Sequence, residues 1–464
     1  MVRRLLIVNR GEIALRVVRA ARELSIFSIV AHSEADTESL AVQQADAAVC
    51  IGPAQATKSY LNIAAILQAA KDVDADAVHP GYGFLSESPA FARAVKDAGL
   101  VFVGPDPSVI ERMGDKAMAR QTAIEAGVPV VPGSHSAVSD LDEALAVAED
   151  VGYPLLIKAA AGGGGRGIRV AKNAEMLREE LPMAQAEARS AFGDDRVYLE
   201  RFIERARHIE VQILGDGKTA IHLYERECSL QRRRQKVFEE CPSPALNEIV
   251  RDALCQSAVA LAEYVDYLGA GTIEYLFDDI TEEFFFIEMN TRIQVEHPVT
   301  EAVTGVDLVR EMLRLARGES LRFTQKEIAC RGWAVEMRIN AEDPERDFFP
   351  SPGQVKRLIW PAGPGVRIDS GLYEGYRMPP FYDSLVAKLI IWDECRESAL
   401  NRAGRALDEF ILEGFETTAN LHRRLVDDPE VRQAAVDTGF LERWLEGGFS
   451  SSHVPTVSEK EAAS

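Results

Sequence analysis

Over the first hundred residues, short apolar runs alternate with longer stretches whose apolar positions recur every three or four residues. Leu5–Val8, Ile26–Ala31, Ala47–Ile51, Ala77–Val78 and Leu100–Val103 read as strands. Glu12–Leu24, Tyr60–Lys71 and Pro89–Ala98 read as helices; in the first, Ile13, Val17, Ala20, Ala21 and Leu24 share one side. This alternation predicts an α/β fold whose N-terminal domain is a doubly wound parallel sheet covered by helices on both faces. Ligands of such sheets sit beyond the carboxyl ends of the strands. The loops expected there are Asn9–Glu12 (NRGE) and His79–Glu87 (HPGYGFLSE). Neither is a GxGxxG dinucleotide fingerprint.

A second region begins near residue 114. Here Gly152–Lys158 leads through a glycine run to Ile168–Val170, and Val197–Glu200, Ile209–Leu214, Ala220–Tyr224, Gly271–Phe277 and Phe284–Asn290 are expected strands. A third region, 328–446, mixes the strands Trp333–Asn340 and Ser384–Ile391 with the helix Arg396–Phe410. Residues 447–464 are small and polar, the composition of a flexible tail.

The stretch Glu288–Glu296 (EMNTRIQVE) carries the densest chemistry. If it is extended, Glu288, Asn290, Arg292, Gln294 and Glu296 project from one face. Oxygen ligands suit Mg²⁺, a guanidinium suits an oxyanion, and a spare carboxylate can move a proton. With Gly271–Phe277 and Phe284–Asn290 paired as a hairpin, Glu274 faces Glu288 within one residue. Two carboxylates that close repel unless a cation lies between them. Asn290 adds a neutral oxygen, so Glu274, Glu288 and Asn290 form a candidate metal site. Five glycines surround Arg166 in residues 162–167, where bare backbone N–H groups can approach a phosphate. Lys158 precedes them, and Lys116 is a second candidate phosphate ligand. A salt-bridged strand end and a plain surface loop are the simpler readings; the combination favours a nucleotide lid over a metal-bearing floor.

Composition narrows the class. The net charge of −21 disfavours nucleic acid, so the basic run Gln231–Lys236 (QRRRQK) more plausibly gathers small anions. The six cysteines contain no CxxC pair, which favours free thiols in a reducing compartment. With no signal peptide and no membrane-length apolar stretch, a cytoplasmic location is expected.

Together NRGEIA, HPGYGFLSE, MGDK, KAAAGGGGRG, ERECSLQRR, IEMNTRIQVEHPVTE, RINAEDP and FYDS resemble the biotin carboxylase component of biotin-dependent carboxylases, within the ATP-grasp superfamily. The resemblance runs from Arg4 to about residue 446. It implies a biotin carboxylase N-terminal domain at 1–113, an ATP-grasp domain at 114–327 with its lid at about 131–203, and a C-terminal mixed α/β domain at 328–446. It implies that Lys116, Lys158, Gly164 and Gly165 hold ATP phosphates, that Glu200, Arg201, Phe202 and Ile203 form the adenine hinge, and that His208 and Gln231 contact the nucleotide. Glu274, Glu288 and Asn290 would bind Mg²⁺ (or Mn²⁺). Lys236, Arg292, Gln294 and the Val295 backbone would hold bicarbonate, Glu296 would be the base, Arg338 would stabilise the biotin enolate, and Tyr82 would lie near the ureido ring. One departure stands out: the family often has His where this chain has Arg234, near the ribose, and arginine accepts no hydrogen bond.

The implied reaction is ATP- and bicarbonate-dependent carboxylation of biotin N1′, the first half-reaction of an acetyl-CoA or acyl-CoA carboxylase. A component of a pyruvate or other 2-oxoacid carboxylase is the alternative. With no AMKM-like biotinylation sequence in the chain, biotin is expected on a separate carrier protein, with separate carboxyltransferase subunits. The family also implies a homodimer, and no membrane partner.

Overall fold

A computed structural model of the chain describes residues 2–134, 137–138, 140–159, 168–192 and 195–447. Five strands, β1 (Arg4–Ile7), β2 (Phe27–Ser33), β3 (Ala47–Gly52), β4 (Ala77–His79) and β5 (Val101–Phe102), form a parallel sheet in the order β3-β2-β1-β4-β5. Period-two alternation explains its two buried faces. Leu5 and Ile7 of β1 enter one apolar cluster, and Leu6 and Val8 enter another on the opposite side. The first helix spans Gly11–Glu23 and the third expected one is Pro89–Asp97; the middle one is shorter than expected, Ile63–Asp72, because Asn62 caps it through Ala65 N.

Strand order reverses between β1 and β4, and the two flagged loops leave their adjacent carboxyl ends. Asn9 ties them together: its Nδ2 donates to Pro80 O and Tyr82 O, both at 2.7 Å. Gly81 has φ +64, and a Cβ there would lie 2.7 Å from Asn9 Nδ2, so glycine is required for this approach.

Strands β6 (Leu155–Ala159), β7 (Ile168–Ala171) and β8 (Val197–Arg201) make a small antiparallel sheet in the order β7-β6-β8. The expected strands on either side of the glycine run therefore pair with each other. The run itself, including Gly164 and Gly165, lies outside the described residues, as does 448–464 of the expected tail.

The remaining large sheet is antiparallel. It contains β9 (Ala206–Asp216), β10 (Ala220–Arg232), β11 (Gln235–Cys241), β12 (Leu268–Asp278), β13 (Phe284–Asn290) and β14 (Trp333–Asn340), in the order β13-β12-β9-β10-β11-β14, and continues into Leu385–Asp393 and Val366–Ser370. Sequence reading stops the second strand of this set at Tyr224. The strand continues to Arg232 because a bulge between His222 and Glu225, with Tyr224 at φ +65, restores its pairing. Since β11 pairs with β14, the sheet runs unbroken from the central region into the third. All six cysteines are free. Among the described residues no helix is long and apolar enough to cross a membrane.

Candidate active site

Register builds the site before any loop does. Glu274 of β12 pairs with Glu288 of β13 on one side and Glu210 of β9 on the other, and Arg226 of β10 pairs with Glu210. One row across four strands thus carries three carboxylates and a guanidinium on the same face. The expected opposition of Glu274 and Glu288 is met directly, with a register shift immediately after Glu274.

The extended reading of 288–296 is corrected. β13 ends at Asn290, residues 291–296 turn, and a helix begins at His297, with Pro298 in its first turn and Glu296 at its N-cap. Arg292, Gln294 and Glu296 nevertheless line the same cavity of about 770 Å³ as Glu274, Glu288 and Asn290. Their convergence comes from the turn, not from strand alternation. His208, Arg234, Lys236, Val295, Arg338 and Tyr82 line it too.

Lys236 is the hub. Its Nζ donates to Glu274 Oε1 (2.8 Å) and Glu296 Oε1 (2.6 Å), and it also bonds Glu210. Burial acts to lower this ammonium, but Glu210, Glu274 and Glu296 outweigh it, so it stays charged. Arg338 donates from Nε to Glu239 Oε1 (2.5 Å) and from Nη2 to Glu296 Oε2 (2.9 Å). Burial alone would raise the Glu296 carboxyl; Lys236, Arg338 and Arg226 reverse this and hold it well below the usual range. Glu274 follows the same pattern, with burial opposed by Lys236 and by His208, whose Nε2 lies 3.0 Å from Glu274 Oε2. Glu288 differs. Burial, then the charge of Glu274, push its carboxyl up, and Lys116 pulls only weakly against them. A buried carboxylate paired across the hairpin with a half-buried one that resists joint ionisation, together with the Asn290 amide, whose Nδ2 donates to Glu274 Oε1 (2.9 Å), makes an oxygen donor set that fits a hard divalent cation.

Gln294 donates to Glu274 Oε1 (2.8 Å) and accepts from Arg226 Nη2 (2.8 Å), which fixes its amide orientation. Arg292 donates from Nε to Glu87 Oε2 (2.8 Å) and from Nη2 to Asn290 Oδ1 (2.9 Å). The Val295 carbonyl accepts from Lys388 Nζ (2.8 Å), a fully buried lysine 3.1 Å from Glu12, and Tyr82 OH donates to the same Glu12 carboxylate.

Other expected residues lie outside the cavity lining. Lys158 is paired with Glu200. Arg201 pairs with Asp278 and Glu283, Phe202 N donates to Pro154 O, and Ile203 is buried. Lys116 opens the helix Lys116–Glu125, and Gln231 is the cross-strand partner of Lys236. The basic run is less free than expected: Arg232 and Arg233 both pair with Asp347. Arg234 sits at the β10–β11 turn with φ +65, next to Arg233 at φ +48.

Charged residues that escaped sequence reading are Glu12, Glu87, Glu210, Arg226, Glu239 and Lys388. A charge embedded in an apolar strand, as in HIEVQIL and VAKLII, was the available signal. Glu87 lies in a loop singled out for other reasons, and Glu12, in the segment expected to be the other such loop, falls in the first turn of the first helix.

Comparison with known proteins agrees with this architecture. Residues 1–110 match the family described as biotin carboxylase, N-terminal domain; 115–324 match the ATP-binding domain of the carbamoyl-phosphate synthase L chain; and 336–443 match the biotin carboxylase C-terminal domain. A biotin carboxylase of Nostoc sp. is 52% identical over 440 residues, covering 95% of this chain and 98% of the relative. A pyruvate carboxylase component of Methanothermobacter thermautotrophicus is 48% identical over 448 residues, covering 96% and 91%. The biotin carboxylase domain dimer of Hydrogenobacter thermophilus 2-oxoglutarate carboxylase, solved with MgADP, ADP and bicarbonate, superposes with a TM-score of 0.85 at 44% identity, covering 96% of this chain and 98% of that one. An acid–base cavity on an antiparallel sheet, approached by two loops of a parallel one, thus occurs in a chain that belongs to the biotin carboxylase family.

Proposed function

We propose that this protein is an ATP-dependent ligase that carboxylates biotin at N1′ with bicarbonate, the biotin being carried by a separate protein. The observation that carries the reading is the meeting of Lys236, Arg338 and Glu296 in one cavity beside the Glu274–Glu288 pair. Bicarbonate attacks ATP only after losing its proton, and Glu296 is an ionised carboxylate placed to take it. Lys236, Arg292 and Gln294 exchange their present carboxylate partners for the anion and hold it together with the Val295 backbone. Glu274, Glu288 and Asn290 hold Mg²⁺ or Mn²⁺, which when bound offsets the charge of the nucleotide phosphates.

Carboxyphosphate formed in this way breaks down to CO₂ and phosphate, and phosphate takes the N1′ proton. Arg338 then faces the enolate-like ring, where a fixed guanidinium stabilises the developing charge, and Tyr82 borders the same space. Lys116, Lys158, Gly164 and Gly165 cover the phosphates. Glu200–Ile203, His208 and Gln231 take the nucleoside, and Arg234 borders the ribose. Lys158 must leave Glu200 for this.

The matched ranges support successive domains at 1–113, 114–327 and 328–446. That most of the similar relatives are named simply biotin carboxylase supports an acetyl-CoA or acyl-CoA carboxylase, with carrier protein and carboxyltransferase as other chains. The dimer seen in the Hydrogenobacter domain supports a homodimer.

The decisive experiment measures ADP release from ATP with Mg²⁺ and free biotin, with and without bicarbonate. Turnover that requires both biotin and bicarbonate is expected. Turnover driven by an amine without bicarbonate would overturn the reading in favour of a carboxylate–amine ligase.

A further inference from the structure

Beneath Arg338 two glutamates lie side by side. Glu239 of β11 and Glu336 of β14 are direct cross-strand partners, and both are fully buried. Residues so paired have Cβ atoms about 4.5–5.5 Å apart, so their carboxyls share one space. Glu239 Oε1 accepts Arg338 Nε, but Glu239 Oε2 and both oxygens of Glu336 have no hydrogen-bond partner among the described residues. Three unpartnered buried carboxylate oxygens on two directly paired side chains would be a costly arrangement if both groups were ionised.

The nearby cations do not relieve Glu336. Facing it are Lys388 of the neighbouring strand, Arg338 of its own strand, Glu239, and Glu296 at the helix N-terminus. Facing Glu239 are Arg338, Glu296, Lys236 and Glu210. The Lys388 ammonium is committed to Val295 O and Glu12 and lies 4.0 Å from Asp369. Arg338 is committed to Glu239 and Glu296. Among the described residues, no cation therefore bonds Glu336. A proton on Glu336, donated to Glu239 Oε2, would satisfy two of the three open oxygens at once and leave the pair with a single negative charge. That charge lies on Glu239, where Arg338 takes it up.

We infer that Glu336 is a neutral acid whose O–H is donated to Glu239, and that this proton-sharing pair is a positioning device that holds Arg338 aimed into the cavity. Burial followed by carboxylate neighbours pushes both acids above the usual range, in agreement with the geometry. The arrangement has a purpose in the proposed reaction, on which the kinetic part of this inference rests. Arg338 must release Glu296 to meet the biotin enolate, and a second, permanent anchor keeps it from following Glu296 or swinging into solvent. Glu239 is that anchor. An ionised Glu336 beside it would compete for the guanidinium and draw Arg338 back toward the strand; a protonated one cannot.

The experiment is infrared spectroscopy of the full chain at neutral pH, with and without ¹³C-glutamate labelling. A label-sensitive carbonyl band of a protonated carboxyl is expected, and it is lost in Glu336→Gln. Absence of the band from the wild-type protein, or its persistence in that variant, overturns the inference. This reading requires no turnover, so it stands or falls apart from the proposed activity. A second arm is kinetic. Glu336→Gln keeps a donor toward Glu239, whereas Glu336→Met has similar volume and none; the Gln variant is expected to recover most of the biotin kcat/KM that the Met variant loses. Glu239→Gln, which removes the anchoring charge, is expected to lower biotin kcat/KM by about tenfold or more while the ATP KM stays within about twofold. Equal losses in the Gln and Met variants, or an ATP KM that rises in step with the biotin KM, would show a merely structural role.

Discussion

Replacing Glu296 by Gln tests the proposed chemistry most directly. The amide keeps the size and one acceptor oxygen but takes no proton. Positioned general bases contribute about 10²–10⁴ in rate, so biotin-dependent turnover is expected to fall by about that factor. ATP binding is expected to survive, because Lys236 keeps Glu210 and Glu274 as partners, and the Glu274–Glu288 pair is untouched. The structural cost follows from two bonds. Glu296 accepts from Lys236 at 2.6 Å and Arg338 at 2.9 Å, and charge-assisted bonds are worth about 1.5–3 kcal/mol each, roughly twice a neutral one. Halving both predicts a loss of about 1.5–3 kcal/mol in urea unfolding at neutral pH. The pH dependence has a definite sign. The folded Glu296 carboxyl lies below its unfolded value, since Lys236, Arg338 and Arg226 overcome burial. Its ionised form therefore stabilises the fold above the unfolded value of about 4.3, and this contribution is lost as pH falls through the lower folded value. The stability gap between wild type and variant should close as pH drops below about 4.3. A folded variant whose biotin-dependent ADP release stays within about threefold of wild type would remove Glu296 from the mechanism.

Other substitutions probe the supports. Lys388→Met leaves Glu12 and Val295 O without their buried partner, and denaturant unfolding should show a loss of about 3–5 kcal/mol. Gly81→Ala forces a side chain into a φ of +64 against Asn9; thermal unfolding should fall by about 1–3 kcal/mol, with a rise in biotin KM as the Tyr82 loop shifts. Arg234→His places an acceptor on the cavity lining, at the proposed ribose contact; ATP KM should fall while kcat stays within about threefold, read by steady-state kinetics at saturating bicarbonate.

Much of this protein is local in origin. Alternation of apolar residues in Leu5–Val8 assigns neighbours to opposite cores because strand side chains have a period of two, and that holds wherever the strand is placed. The opposition of Glu274 and Glu288 is also local, since a short hairpin leaves little choice of register. The end of β13 was harder to see. Residues 291–296 keep an alternating pattern, but Pro298 and the helix it starts draw the chain out of the sheet at Asn290. What no linear pattern specifies is which distant charge meets which. Arg292 and Glu87 are 205 residues apart, Glu12 and Lys388 belong to opposite ends of the chain, and Glu239 meets Glu336 only because β11 and β14 are neighbours in one sheet. Alternation says that a side chain faces inward; the partner awaiting it is chosen by strand order and domain packing. Those depend on the free energy of the whole chain, so the ionisation and aim of the cavity's charged groups are properties of the assembled fold alone.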